Sequence, residues 1–165
     1  MTDLFLWKNN YREIPTNNKQ RTTNNEQRTT NNEQYSMPHI TLEYSSNIRI
    51  TKDFGELFGP IHQLLEHSLK VNPLNCKSRI ICHDHFFIAD GNENHAFAHL
   101  QIKVLDKHPE EGKIAVGFGA FELLRDFFND DVDGLCFQPS VEIHEMKGDF
   151  YYKLGLEEIL KGGEK

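Results

Sequence analysis

The sequence predicts an α/β (α+β) domain of order β-α-β-β-α-β, a four-stranded sheet with two helices on one face, beginning at about Met37. Three observations carry this expectation. Residues 39–44 alternate apolar and polar with the period of a half-buried strand. Two stretches, opening near Asp53 and near Pro109, space their apolar residues three and four apart, as helices packed along one side do. The remaining β-rich runs fall between and after those helices, so that one β-α-β unit follows another.

In the first strand Ile40, Leu42 and Tyr44 share one face, and Thr41 and Glu43 the other. Ser45, Ser46 and Asn47 break the pattern, and Asp53 can cap a helix whose apolar stripe is Phe54, Leu57, Phe58, Ile61, Leu64, Leu65 and Leu69. Pro60 inside that run implies a kink or a late start, and Asn72-Pro73 ends it. Residues 78–88 read as a second strand, and the turn Ala89-Asp90-Gly91-Asn92 joins it as a hairpin to a third over residues 95–105. Pro109, Glu110 and Glu111 open the second helix in the polarity that suits its dipole. Its stripe reads Ile114, Phe118, Phe121, Leu124 and Phe128, while Gly117 and Gly119 point to close packing rather than a phosphate cradle. Residues 135–146 supply the fourth strand, where Pro139 implies a bulge or a sheet edge, and residues 148–160 form a weaker terminal segment.

The domain division follows from composition. Residues 1–36 carry almost no apolar periodicity and are expected to be a disordered polar repeat extension, leaving residues 37–165 as the folding unit. Residues 16–36 repeat a seven-residue unit, TNNKQRT, TNNEQRT, TNNEQYS, whose first two copies hold no apolar residue and so cannot be a coiled-coil heptad. The nucleotide word GAACAAC, repeated and read in threes, encodes Glu-Gln-Arg-Thr-Thr-Asn-Asn, which is the run from Glu26 to Asn32. The extension is therefore read as simple-sequence DNA upstream of the gene rather than part of the native protein; a genuine polar tail is the alternative.

The 165 residues carry a formal charge of −7, and Lys and Arg nowhere cluster with aromatics, which argues against nucleic acid as a partner. Three cysteines, at 76, 82 and 136, lack the paired spacings of a zinc site or disulfide framework, as expected for reduced thiols in the cytoplasm. The apolar patch from Leu4 to Trp7 is too short to span a membrane, so no membrane partner is expected.

Several motifs in order then carry a resemblance. Met37-Pro38-His39, Glu43-Tyr44-Ser45, Asn47-Ile48-Arg49, Ser78-Arg79, Ala89-Asp90-Gly91 and Ala96-Phe97-Ala98-His99 resemble, in order and spacing, the 5-carboxymethyl-2-hydroxymuconate Δ-isomerase family of the tautomerase superfamily. The resemblance runs from Met37 to about Leu154. It implies a tautomerase-like fold, a homotrimer, an isomerase that needs no cofactor, and a place in aromatic-compound catabolism. It also implies that the catalytic group is Pro38, exposed by removal of Met37. A free proline amine, kept neutral by nearby cations and poorly solvated walls, can take a proton from a dienol or from the carbon beside a carbonyl and return it elsewhere on the conjugated chain. Without that context, Pro38 would be an ordinary strand-opening residue whose missing donor is tolerated.

The small oxo or carboxylic acid such an enzyme takes needs cations, and the candidates are Lys77, Arg79, His108, Arg49 and Lys107; each alone is also a common solvated surface residue. Against the resembled family, Lys77 and His108 stand where substrate-binding arginines are expected. Arginine grips a carboxylate through a planar fork, whereas lysine is a point charge and histidine is often neutral. The departure leaves a catalytically silent trimeric binding protein of the same fold as a rival. A second rival reads the nine histidines as metal ligands, since His83 and His85 would share one strand face, Cys82 and Asp84 the other, and His95 and His99 also share a face; the usual zinc spacings are missing, and no metal is expected.

Overall fold

A computed structural model describes residues 37–153. The extension over residues 1–36, and residues 154–160 of the expected terminal segment, lie outside the described residues. The described chain runs β1 (His39–Ser45), α1 (Gly55–Leu69), a 3-10 turn (Pro73–Asn75), β2 (Lys77–His83), β3 (His95–Leu105), α2 (Glu110–Phe128), β4 (Cys136–Met146) and a second 3-10 turn (Gly148–Phe150). The four strands form one sheet in the order β2-β1-β3-β4, with β1 parallel to β2, antiparallel to β3, and β3 parallel to β4.

This order corrects the expected hairpin between the second and third strands. The turn is real: Gly91 has φ +79°, its N–H donates to the Ile88 carbonyl at 2.8 Å, and Ala89 also adopts a positive φ. But β1 lies between the two strands, so the connection must cross two strand spacings, about 10 Å, past the end of β1. Strand β2 therefore stops at His83 rather than at residue 88. Asn47, just beyond β1, ties the crossing down by donating through Nδ2 to the carbonyls of Glu93 and His95 at 3.1 and 2.9 Å.

Apolar alternation decides which strands take the centre. On β3, Ala96, Ala98, Leu100, Ile102 and Val104 are all fully buried, as are Ile40 and Leu42 on β1. Edge strand β2 instead leaves Ile80 and Ile81 exposed, and Pro139 sits on the other edge, where its missing N–H is tolerated. Both helices cover the same face. Leu57, Ile61, Leu65 and Leu69 are buried along α1, with Phe54, Phe58 and Leu64 packed beside them, as their spacing predicts. Pro60 lies within a helix that already starts at Gly55, so the late start is not seen; Asp53 Oδ1 accepts from the Gly55 N–H at 2.6 Å.

The expected stripe of α2 needs a larger correction. Its buried face is Val116, Ala120, Leu124, Phe127 and Phe128, while Ile114 and Phe118 are 64% and 71% exposed. Ile114 and Val116 stand about 200° apart around the helix. The large side chains suggested one phase, but the surface against α1 demands small ones. A Cβ on Gly112 would lie 2.8 Å from the Ser68 carbonyl oxygen, and one on Gly119 would lie 2.8 Å from Leu64 Cδ2. At Gly117 the nearest atom outside the helix would be Ile143 Cγ1 at 3.6 Å, an ordinary contact. Gly112→Ala is accordingly expected to destabilise the domain by about 1–3 kcal/mol in urea titration, because backbone must move. Gly117→Ala should be neutral or gain up to about 1 kcal/mol of helix propensity. Equal losses in the two variants would contradict this packing.

Candidate active site

Pro38 is buried immediately before β1, and its carbonyl accepts from the Lys77 N–H at 3.0 Å. The alternation that sends Ile40 and Leu42 under the helices sends His39 and Thr41 to the uncovered face. Strand register then fixes their neighbours: His39 pairs with Lys77 on β2 and Lys103 on β3, and Thr41 pairs with Arg79. Arg79 lays its guanidinium along the sheet, with Nη2 donating to His39 Nδ1 at 2.8 Å. The other ring nitrogen, Nε2, lies 2.9 Å from the hydroxyl of Tyr151, whose ring meets the imidazole edge-on. Burial, and then the charges of Arg79, Lys77 and Lys103, hold the His39 pKa below its ordinary 6.5. Burial pushes the Tyr151 hydroxyl pKa up. The pole next to Pro38 thus combines three cations with a neutral imidazole and a protonated phenol, an environment suited to anionic oxygen.

The remaining sequence candidates are placed unequally. Lys107 and His108 occupy the turn after β3, where the His108 N–H donates to the Leu105 carbonyl at 3.4 Å. Because Lys103 faces His39 across antiparallel strands, that turn lies at the Pro38 end of the sheet; His108 is buried there and Lys107 exposed. Arg49 is exposed beyond the opposite end of β1, and seven strand residues put about 20 Å between the two ends. Within one chain Arg49 does not join the group. Three residues of the pole were missed from sequence. His39 and Lys103 were signalled by alternation opposite to Ile40 and Ile102; Tyr151, 112 residues from its partner, had no periodic signal.

The strand histidines disperse. His83 pairs with Glu43 at 2.8 Å, His95 with Asp90 at 2.9 Å, and His99 Nδ1 with Ser140 Oγ at 2.8 Å. His85 falls beyond the end of β2, so it does not share a strand face with His83. Among the described residues no group of three or more His, Cys, Asp or Glu is arranged to hold a metal ion. Glu142 instead knits β3 to β4. Donation from Gln101 and from His144 holds its carboxyl down at about 2. Among the described residues no helix is long and apolar enough to cross a membrane.

Comparison with known proteins bears on the same stretch. A family profile described as 5-carboxymethyl-2-hydroxymuconate isomerase matches residues 38–156, opening on Pro38. The 5-carboxymethyl-2-hydroxymuconate Delta-isomerase of Escherichia coli is 29% identical over 118 residues, covering 71% of this chain and 93% of that protein. The crystal structure of a 5-carboxymethyl-2-hydroxymuconate isomerase from Deinococcus radiodurans R1 superposes with a TM-score of 0.68 at 26% identity, covering 78% of this chain and 97% of that one. A structure described as "Q0 fused 4-OT wild type symmetric trimer" shares the fold alone, with a TM-score of 0.53 at 12% identity over 75% of this chain and 98% of that one.

Proposed function

The chain belongs to the 5-carboxymethyl-2-hydroxymuconate isomerase family, and from that premise we propose that it is a cofactor-independent keto-enol or double-bond isomerase of a small unsaturated oxo acid. Its general base is the amine of Pro38 when that residue is the mature N-terminus. The observation that supports the reading is that Pro38, whose carbonyl accepts from the Lys77 N–H, directly precedes His39, an imidazole of lowered pKa that pairs with Lys77 and Lys103 and accepts from Arg79. Cations near a poorly solvated amine favour its neutral form, which has a lone pair to offer. The amine takes a proton from the enol oxygen or the carbon next to the carbonyl, the electron pair moves along the conjugated chain, and the ammonium returns the proton at a farther carbon. No external oxidant or reductant is needed. Lys77 and Arg79, with Lys107 and His108 from the neighbouring turn, bind the substrate carboxylates.

Self-association completes the proposal. Strand β2 is an edge with Ile80 and Ile81 exposed, and Leu74, Phe86 and Phe87 lie exposed on either side of it. An apolar, unpaired edge of this kind favours burial against another copy, and the trimeric description of one fold relative supports a homotrimer. In that assembly Arg49 could serve the site of a neighbouring subunit.

The stretch from Pro38 covers nearly the whole length of the two isomerase relatives, and the buried core described above lies entirely after it, which supports reading it as the folding unit. Protein beginning at Pro38 is expected to convert 5-carboxymethyl-2-hydroxymuconate, followed by ultraviolet absorbance, and to exchange the protons beside the carbonyl of simple oxo acids in deuterium oxide. It should sediment as a trimer at micromolar concentration. The rival of a silent binding protein, favoured by Lys77 and His108 standing in for arginines, predicts binding of the same acids with neither conversion nor exchange.

A further inference from the structure

The hydrogen bonds around His39 are ordered by chemistry. A guanidinium has only N–H groups to offer, so His39 Nδ1, 2.8 Å from Arg79 Nη2, must be the acceptor and carries no proton. The single proton of the neutral ring then sits on Nε2. It is donated to the Tyr151 hydroxyl oxygen 2.9 Å away. Tyr151 accepts there, so its own O–H proton is directed away from the imidazole. The groups facing the ring from the adjoining strands, Lys77 and Arg79 on β2 and Lys103 on β3, are all cationic. An anion drawn to them arrives beside a phenol with a proton to give.

We infer that the Tyr151 hydroxyl donates a hydrogen bond to the enolate-type oxygen of a bound α-oxo acid, with His39 as its positioning residue and Arg79 fixing the tautomer that makes this possible. The inference rests on reading this pole as an oxo-acid site. In the reaction, negative charge builds on the carbonyl oxygen as a proton leaves the adjacent carbon, and a donor already aimed at that oxygen stabilises it without reorganising. Burial raises the Tyr151 pKa and keeps the phenol protonated.

Oxalate, which mimics the planar enolate of an α-oxo acid, is the probe. Calorimetry on protein beginning at Pro38 should show oxalate binding, weakened on the order of 10- to 100-fold by Tyr151→Phe, the loss expected for one hydrogen bond to a charged group. Tyr151→Phe combined with His39→Ala should lose no more than the worse single variant, since both break one relay. Imidazole nitrogen shifts measured by NMR should show His39 Nδ1 unprotonated and Nε2 protonated at neutral pH. Absent oxalate binding, unchanged affinity in Tyr151→Phe, or a proton on Nδ1 would each overturn the assignment. The outcomes separate the two proposals: conversion with a silent Tyr151→Phe variant leaves the isomerase standing and removes Tyr151, whereas Tyr151-dependent binding without conversion does the reverse.

Discussion

Protein beginning at Pro38 is expected to turn over unsaturated oxo acids at least on the order of 100-fold faster than the 165-residue chain, the low end of what a positioned general base contributes. In the long chain the Pro38 nitrogen is a tertiary amide. Its lone pair is delocalised into the Met37 carbonyl, and it cannot take a proton at any working pH. Nothing in the described fold depends on that bond: Ile40, Leu42 and the whole buried cluster lie after it. The two forms should therefore show similar unfolding transitions and very different activities, a separation that distinguishes loss of the base from loss of structure. Mass spectrometry must first confirm that the short form has lost Met37, a cleavage favoured by the small proline that follows. Equal kcat/KM in both forms would refute a proline base outright.

Most of this architecture was legible because apolar period is a direct consequence of burial. Strand β3 occupies the residues its alternation marked, and the stripe of α1 is buried as spaced. The errors share a cause, namely that local pattern does not encode which elements meet. Ala89-Asp90-Gly91 is a true turn, yet no residue in it records that β1 separates β2 from β3. Ile114 and Phe118 looked like core by size, but the close approach of the helices at Gly112 and Gly119 selects the face bearing Val116 and Ala120. The site divides in the same way. Lys77 and Arg79 come to the Pro38 end through parallel register with β1, which the β-α-β order already implied. Tyr151 reaches His39 from the segment after β4, whose register ends at the same pole, a long-range contact without periodic signature.

The second large effect is expected at the two β2 cations, and it should be graded. Arg79 is held by His39 and presents the rest of its planar fork, whereas Lys77 is an exposed point charge beside it. If both bind substrate carboxylates, Arg79→Ala should lower kcat/KM by about 2–3 kcal/mol and Lys77→Ala by about 1–2 kcal/mol, the range of charge-assisted hydrogen bonds. The double variant should fall short of the sum, because the two side chains serve one anion. Stability should barely change, since both are exposed on an edge strand. Lys77→Arg is the most informative substitution. It installs a second bidentate fork where the family resemblance expects one, so it should lower KM for a dicarboxylate substrate while leaving monocarboxylates nearly unaffected. Steady-state kinetics on one acid of each kind decides the matter. A gain confined to the dicarboxylate would mean that Lys77 sets substrate choice, and unchanged kinetics in all three single variants would place the carboxylate pocket away from β2.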